Sequence, residues 1–115
     1  MPVTNLKLVT IESGQSVSNV ITLSEYETIV SLEVPSTFTT APLTFRVTSQ
    51  LNSANVADLY KDNIEFSVSG LASRKIVLDP LNFLGARRIQ IRSGTSSSAV
   101  NQTGTRELIL TTVEM

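Results

Sequence analysis

The residues best placed for chemistry lie between Arg87 and Ser98, where two adjacent arginines precede the run Ser93-Gly94-Thr95-Ser96-Ser97-Ser98. A glycine-rich loop beside cations has the composition of a phosphate cradle, because backbone N–H groups and positive charge converge on an anion. A nucleotide-binding P-loop, however, requires Gly-x4-Gly-Lys-Ser/Thr between a strand and a helix. This loop has no lysine, and Ala99-Val100-Asn101-Gln102 leads on to another strand-like segment. The dinucleotide fingerprint G-x-G-x-x-G is also missing, so the loop is not read as a nucleotide site. A second cluster, Asp58, Asp62 and Glu65 in "DLYKDNIEF", offers carboxylates for a cation. Calcium loops need oxygen ligands at alternate positions and a glycine at the sharp turn. The segment has neither and reads as a polar connection into a strand.

The chain contains no histidine and no cysteine. Ser-His-Asp and Cys-His nucleophiles, zinc clusters and disulfides are therefore excluded. Ser-Lys or paired-carboxylate chemistry has no motif to support it, and no enzymatic role, cofactor or metal is expected. Asn101-Gln102-Thr103 fits a glycosylation sequon. The opening "MPVTNLKLVTIESG" lacks the basic and long apolar regions of a secretory signal, so that match is read as accidental. No apolar run approaches the length of a bilayer span.

Net charge is -1, which argues against adhesion to nucleic acid or anionic lipid. Arg74, Lys75, Arg87, Arg88 and Arg92 do gather in the second half, opposite Glu12, Glu25, Glu27 and Glu33 in the first. Such asymmetry fits a basic docking patch, but more often reflects solvated strand faces paired across a sheet, the reading preferred here. The expectation is a soluble protein made in a cytoplasm, with neither nucleic acid nor membrane as partner.

The elements that must carry these residues are strands. At 115 residues the chain suits one domain, 1–115, with a single core. About a quarter of it is Ser or Thr, which favours strand surfaces and turns. Apolar residues recur at period 2: Leu6/Leu8, Val30/Leu32/Val34, Leu43/Phe45/Val47, Ile64/Phe66/Val68, Ile89/Ile91 and Leu108/Leu110. Each such row is expected to point inward, with its alternates in water. Turn formers separate the rows at Glu12–Gln15, Pro35–Thr37, Ala41-Pro42, Gln50–Asn55, Ser69-Gly70 and Gly94–Ser98. With Val20–Leu23 and Lys75–Leu78 added, about eight strands result. One helical turn is expected at Pro80–Leu84, capped by Asp79 and released at Gly85. The predicted fold is all-β, an antiparallel two-sheet sandwich with jelly-roll topology. An immunoglobulin-like sandwich is the alternative, although its Trp and Cys pair are missing.

Ile29-Val30, Ile76-Val77-Leu78 and Leu108-Ile109-Leu110 put apolar groups on both faces of their strands. A sandwich sheet has one buried face. The surplus is expected to be covered by a loop or terminus, or by another chain.

From Leu43 onward the succession Leu43-Thr-Phe45, Asp58-Leu-Tyr60, Leu78-Asp-Pro80, Phe83, Gly85, "RRIQIRSGTSSSAVNQ" and Arg106 resembles a recurring small protein of tailed bacteriophages. The S-G-T…V-N-Q pair is the most specific part. The chain departs from that pattern at "SQLNSANVADLY", where an Asp-Gly pair often precedes D-L-Y. Relatives of this kind include jelly-roll decoration, or cement, proteins of HK97-like heads. The resemblance implies a structural protein on the virion surface that binds the major capsid protein, stabilises the shell and forms a homodimer or homotrimer. A rigid slab bridging capsid subunits suits that task, since its affinity comes from a few apolar or Arg anchors. Candidate interface residues are Pro2, Leu6 and Leu8 in the N-terminal segment, Arg87 and Arg88, and Gly94, Thr95 and Ser96 in the loop. The alternative is a tail, neck or fibre-associated module that contacts a host receptor or glycan. A carbohydrate-binding jelly roll ranks below both, because the chain has no tryptophan.

Overall fold

A computed structural model of the chain describes residues 3–50 and 55–114. Pro2, and residues 51–54 of the expected Gln50–Asn55 turn, lie outside the described residues. The strands are β1 (Val3–Ile11), β2 (Ile21–Thr22), β3 (Glu27–Val34), β4 (Ala41–Thr48), β5 (Ala57–Asp58), β6 (Tyr60–Lys61), β7 (Ile64–Glu65), β8 (Ser67–Gly70), β9 (Arg74–Val77), β10 (Arg88–Ser93) and β11 (Arg106–Glu114). All pairings are antiparallel. One layer, sheet I, runs β1-β11-β3-β9; the other, sheet II, runs β2-β10-β4, with β5 and β8 sharing the far edge of β4. The first strand thus pairs with the last, β2 with β10, β3 with β9, and β4 with β8. This is a long hairpin folded over on itself, the connectivity of a jelly roll.

Between the layers lie Val9, Ile11, Leu23, Ile29, Leu32, Leu43, Phe45, Phe83, Ile89, Ile91, Leu108 and Leu110, all essentially without solvent contact. Phe45, Phe66 and Phe83 form an aromatic triangle with ring centroids 5.2–5.8 Å apart. Two of the three contacts are edge-on, the geometry that the ring quadrupole favours. The expected turn is present as a 3-10 helix over Pro80–Phe83, in which the Asp79 side chain accepts the Leu81 N–H. Gly85 follows it at φ +86°.

Three inward rows differ from the expectation. In β1 the phase is reversed: Val9 and Ile11 fill the core, while Leu6 and Leu8 face outward. The segment reads Leu6-Lys7-Leu8-Val9-Thr10-Ile11, so both phases contain apolar residues. Burial of Val9 and Ile11, with Lys7 turned in toward Glu27 at 3.3 Å, selects the other one. Val30 is the extra residue of a bulge, since Thr111 pairs with Ser31 and Thr112 with Ile29; Ile29 takes the inward place. The row Ile64/Phe66/Val68 is broken, because Ile64 belongs to the short β6–β7 hairpin and is exposed. That hairpin turns through Asp62 and Asn63 at φ 55° and 67°, as a two-residue type I′ turn demands.

Candidate interaction surfaces

The Gly94–Ser98 loop folds on itself. Gly94 adopts φ +97°, and a Cβ there would lie 2.5 Å from Ser98 O, so only glycine fits without strain. The Thr95 N–H donates to Ser98 O at 3.0 Å, the Ser98 N–H to Thr95 O at 3.2 Å, and the Gly94 N–H to Pro42 O at 2.7 Å. The Ser96 N–H points at the Glu65 carboxylate, 3.1 and 3.2 Å from its oxygens. Glu65 also accepts from Arg92 Nη2 at 2.7 Å. The loop therefore does cradle an anion, but the anion is the chain's own side chain. Arg92 Nε donates to Thr44 Oγ1 at 3.0 Å, and Thr44 Oγ1 donates to Gly94 O at 2.8 Å. Asp58 Oδ1 sits 2.9 Å from Arg92 Nη2 without hydrogen-bond alignment, an ionic contact. Two of the three acids considered as cation ligands, Asp58 and Glu65, are thus spent on Arg92. Together these contacts hold the β5–β7 excursion against the outer side of sheet II.

Arg87 is built into the frame: its Nε donates to Leu23 O at 3.2 Å, its N–H to Thr48 O at 2.8 Å, and its carbonyl accepts the Leu23 N–H at 2.7 Å. Arg88 lies half-buried in the first position of β10, whereas Gly94, Thr95 and Ser96 follow the strand's last residue. Six residues of strand put these groups about 20 Å apart. Leu6 and Leu8 belong to the other sheet. The candidate residues therefore fall in three separate places, with Pro2 outside the described residues.

The V-N-Q stretch turns out to be a clamp. The Gln102 side chain is 1% exposed. Its Oε1 accepts the Thr39 N–H at 2.8 Å and Arg106 Nε–H at 3.2 Å, and its Nε2 donates to Thr39 O at 3.1 Å and Ser93 Oγ at 2.8 Å. Its backbone accepts the Gly14 N–H and donates to Gln15 O, at 2.8 and 2.9 Å. One residue thus ties three loops to the end of β10. No spacing along the sequence signals this role, since Thr39 is 63 residues away.

A second polar knot closes the other end of sheet I. Glu27 is buried; its Oε1 accepts the Ser24 N–H at 2.8 Å and lies 3.3 Å from Lys7 Nζ, while Oε2 accepts the Thr112 hydroxyl. Burial alone pushes this carboxyl up, but the Ser24 amide, the Thr112 hydroxyl and the Lys7 charge outweigh it and hold the group below its ordinary value of 4.5.

The two outer faces contrast in chemistry. The outer row of sheet II, facing away from the core, carries Thr44, Arg46, Thr48, Arg88, Gln90 and Arg92. The outer face of sheet I carries Leu8 beside Ile109, Leu6 beside Thr111, and Val77 beside Ser31. Leu6 is 70% exposed, Leu8 59% and Val77 85%. Of the two-faced segments noted in the sequence, Val77 and Ile109 lie on this face, Val77 exposed and Ile109 half-buried.

No family model and no curated protein matches the chain. Among solved structures, the SPBc2 prophage-derived protein YomS superposes with a TM-score of 0.61 at 10% identity, over 99% of this chain and 96% of that one. A structure reported under Bacillus endospore appendages, a family of disulfide-linked pili, gives a TM-score of 0.47 at 12% identity, over 99% and 88%. At such identities the first likeness is one of fold: the chain shares the whole β-sandwich architecture of a prophage-derived protein.

Proposed function

We propose that the chain is a structural protein of a tailed-bacteriophage particle, a decoration protein that binds the outside of the major capsid shell and stabilises it. The observation that carries the reading is the division of labour between the faces. Sheet II turns a charged, internally paired surface outward, whereas sheet I offers exposed Leu6, Leu8 and Val77, with half-buried Ile109, on a hydrogen-bonded sheet. Exposed apolar surface on a rigid support is the usual mark of a protein-docking site. Every polar cluster described above is occupied in holding the sandwich together, which suits a rigid bridging element better than a catalyst. The fold likeness to a prophage-derived protein and the phage-like motif series accord with the setting. In this reading the partners are the major capsid protein and further copies of the chain, with neither nucleic acid nor membrane involved.

The test is co-sedimentation of purified protein with expanded shells from a phage lacking it, for the parent and for Leu8→Asp with Val77→Asp. Saturable binding by the parent and loss in the double variant is the expected result. No sedimentation of the parent, or equal sedimentation of the folded variant, would remove the basis of the reading. Binding to isolated tails in place of shells would support the tail, neck or fibre assignment.

A further inference from the structure

Strand β1 lies at an edge of sheet I and is nine residues long. Long edge strands are templates for pairing, because alternate residues aim both backbone groups at solvent. Which residues do so here is fixed by Thr10. Its N–H donates to Asn19 Oδ1 at 2.8 Å, and its carbonyl accepts the Asn19 N–H at 3.1 Å. Thr10 therefore faces away from β11, and so do Leu8, Leu6 and Thr4, which share its parity. Among the described residues no donor or acceptor meets the open-side groups of these three. The described strand begins at Val3, and the sequence before it supplies a proline, which has no N–H to offer. The open window is thus Thr4-Leu6-Leu8, closed by Asn19 at one end and by the chemistry of proline at the other.

We infer that this window pairs with the same window of a second copy, antiparallel about a twofold axis, with Leu6 opposite Leu6. This deepens the expectation of a homo-oligomer but does not depend on what the oligomer is attached to. The register follows from elimination. With Leu6 on the axis, Thr4 meets Leu8 of the other copy, and all three open residues exchange both hydrogen bonds with a partner. Moving the axis to Lys7 places Thr4 opposite Thr10, whose groups are already bound. Moving it to Asn5 leaves Leu8 with no opposite residue in the strand, which begins at Val3. Only the Leu6 axis satisfies the whole window.

The side chains fit the same arrangement. Leu6 and Leu8 stand on the outer face, so two copies join their leucines into one apolar strip across the axis. Lys7 points to the inner side, where it pairs with Glu27 at 3.3 Å and donates to Thr22 O at 2.9 Å. An inward charge on an edge strand ordinarily discourages pairing; here its charge is already met. A twofold contact uses one patch on both copies and closes after two chains. The result is a continuous eight-stranded sheet, with the four strands of sheet I contributed by each copy.

The experiment uses single-cysteine variants, since the chain has no cysteine of its own. Residues in a hydrogen-bonded antiparallel pair have Cα atoms about 5.5 Å apart, within disulfide reach. On mild oxidation Leu6→Cys is expected to give a covalent dimer, whereas Leu8→Cys and Val77→Cys, off the axis, remain single chains. Sedimentation equilibrium of the parent is expected to show a dimer. Leu6→Pro, which removes the open-side N–H together with the leucine side chain on the axis, is expected to weaken it by more than about tenfold, with an unchanged β-sheet circular dichroism spectrum. A parent monomeric at every concentration, or an oligomer cross-linked through Leu8 or Val77 as readily as through Leu6, would overturn the inference. Either result is independent of whether the protein is found in virions.

Discussion

Replacing Gln102 by Leu removes four side-chain hydrogen bonds while nearly preserving volume. Two of the partners left behind have water within reach: Arg106 is half-exposed and retains Thr103 Oγ1 at 3.1 Å, and the Thr39 carbonyl keeps a second lone pair. The other two do not. Ser93 Oγ belongs to a residue with no solvent exposure, and the Thr39 N–H points directly at the vanished Oε1. A buried polar group stripped of its partner costs about 1–3 kcal/mol, so the pair is expected to cost roughly 2–6 kcal/mol. For a domain of this size each kcal/mol moves the midpoint by about 4 °C, giving a fall of roughly 8–24 °C. Thermal melts followed by circular dichroism, with urea titration as a cross-check, measure it. The exposed neighbour Asn101→Ala serves as control and should shift stability by under about 0.5 kcal/mol. Adding Ser93→Ala to Gln102→Leu should cost less than the sum of the single changes, by about 1 kcal/mol. A Gln102→Leu protein as stable as the control would refute the view that this residue clamps the loops.

Other changes follow the same logic. Arg92→Met leaves Glu65 without its cation and Asp58 with only the looser Arg46 contact at 3.8 Å; allowing for the partial exposure of both acids, the cost is about 2 kcal/mol, read by urea unfolding. The same variant should raise hydrogen exchange at Ser96. Gly94→Ala meets both a positive φ and backbone atoms of Ser98 and Val100 at 2.5 and 2.6 Å, and should lose about 2 kcal/mol or more. Glu27 has a folded pKa below its unfolded value near 4.5. Its contribution is therefore complete above that value and is lost as pH falls through the lower folded one. Urea midpoints measured from neutral pH into that acidic range should fall less steeply for Glu27→Gln than for the parent.

Much of the architecture was legible because the alternation is strict. Leu43/Phe45 and Ile89/Ile91 alternate cleanly with polar residues, and these rows do face inward. Asp79-Pro80 and Gly85 mark their turn through local chemistry alone. The phase of β1 was not legible, since Leu6, Leu8, Val9 and Ile11 make two overlapping patterns that only the opposing layer can decide. Nor was the bulge at Val30, which depends on the register of β11. The least legible parts were the polar knots. Glu65 with Arg92, and Gln102 with Thr39 and Ser93, are brought together by the roll of the long hairpin, and no spacing along the chain announces them. The Gly-Ser loop shows the consequence: its composition suggests an anion site for a ligand, and the fold fills that site from within.

The central claim is that the sandwich is a repeated building block of a virus particle. The most direct measurement is the molar ratio of this chain to the major capsid protein in purified virions, by quantitative mass spectrometry. A simple fixed ratio near one, retained through density-gradient purification, is the expected result. Absence from the particles, or a few copies per virion, would contradict it.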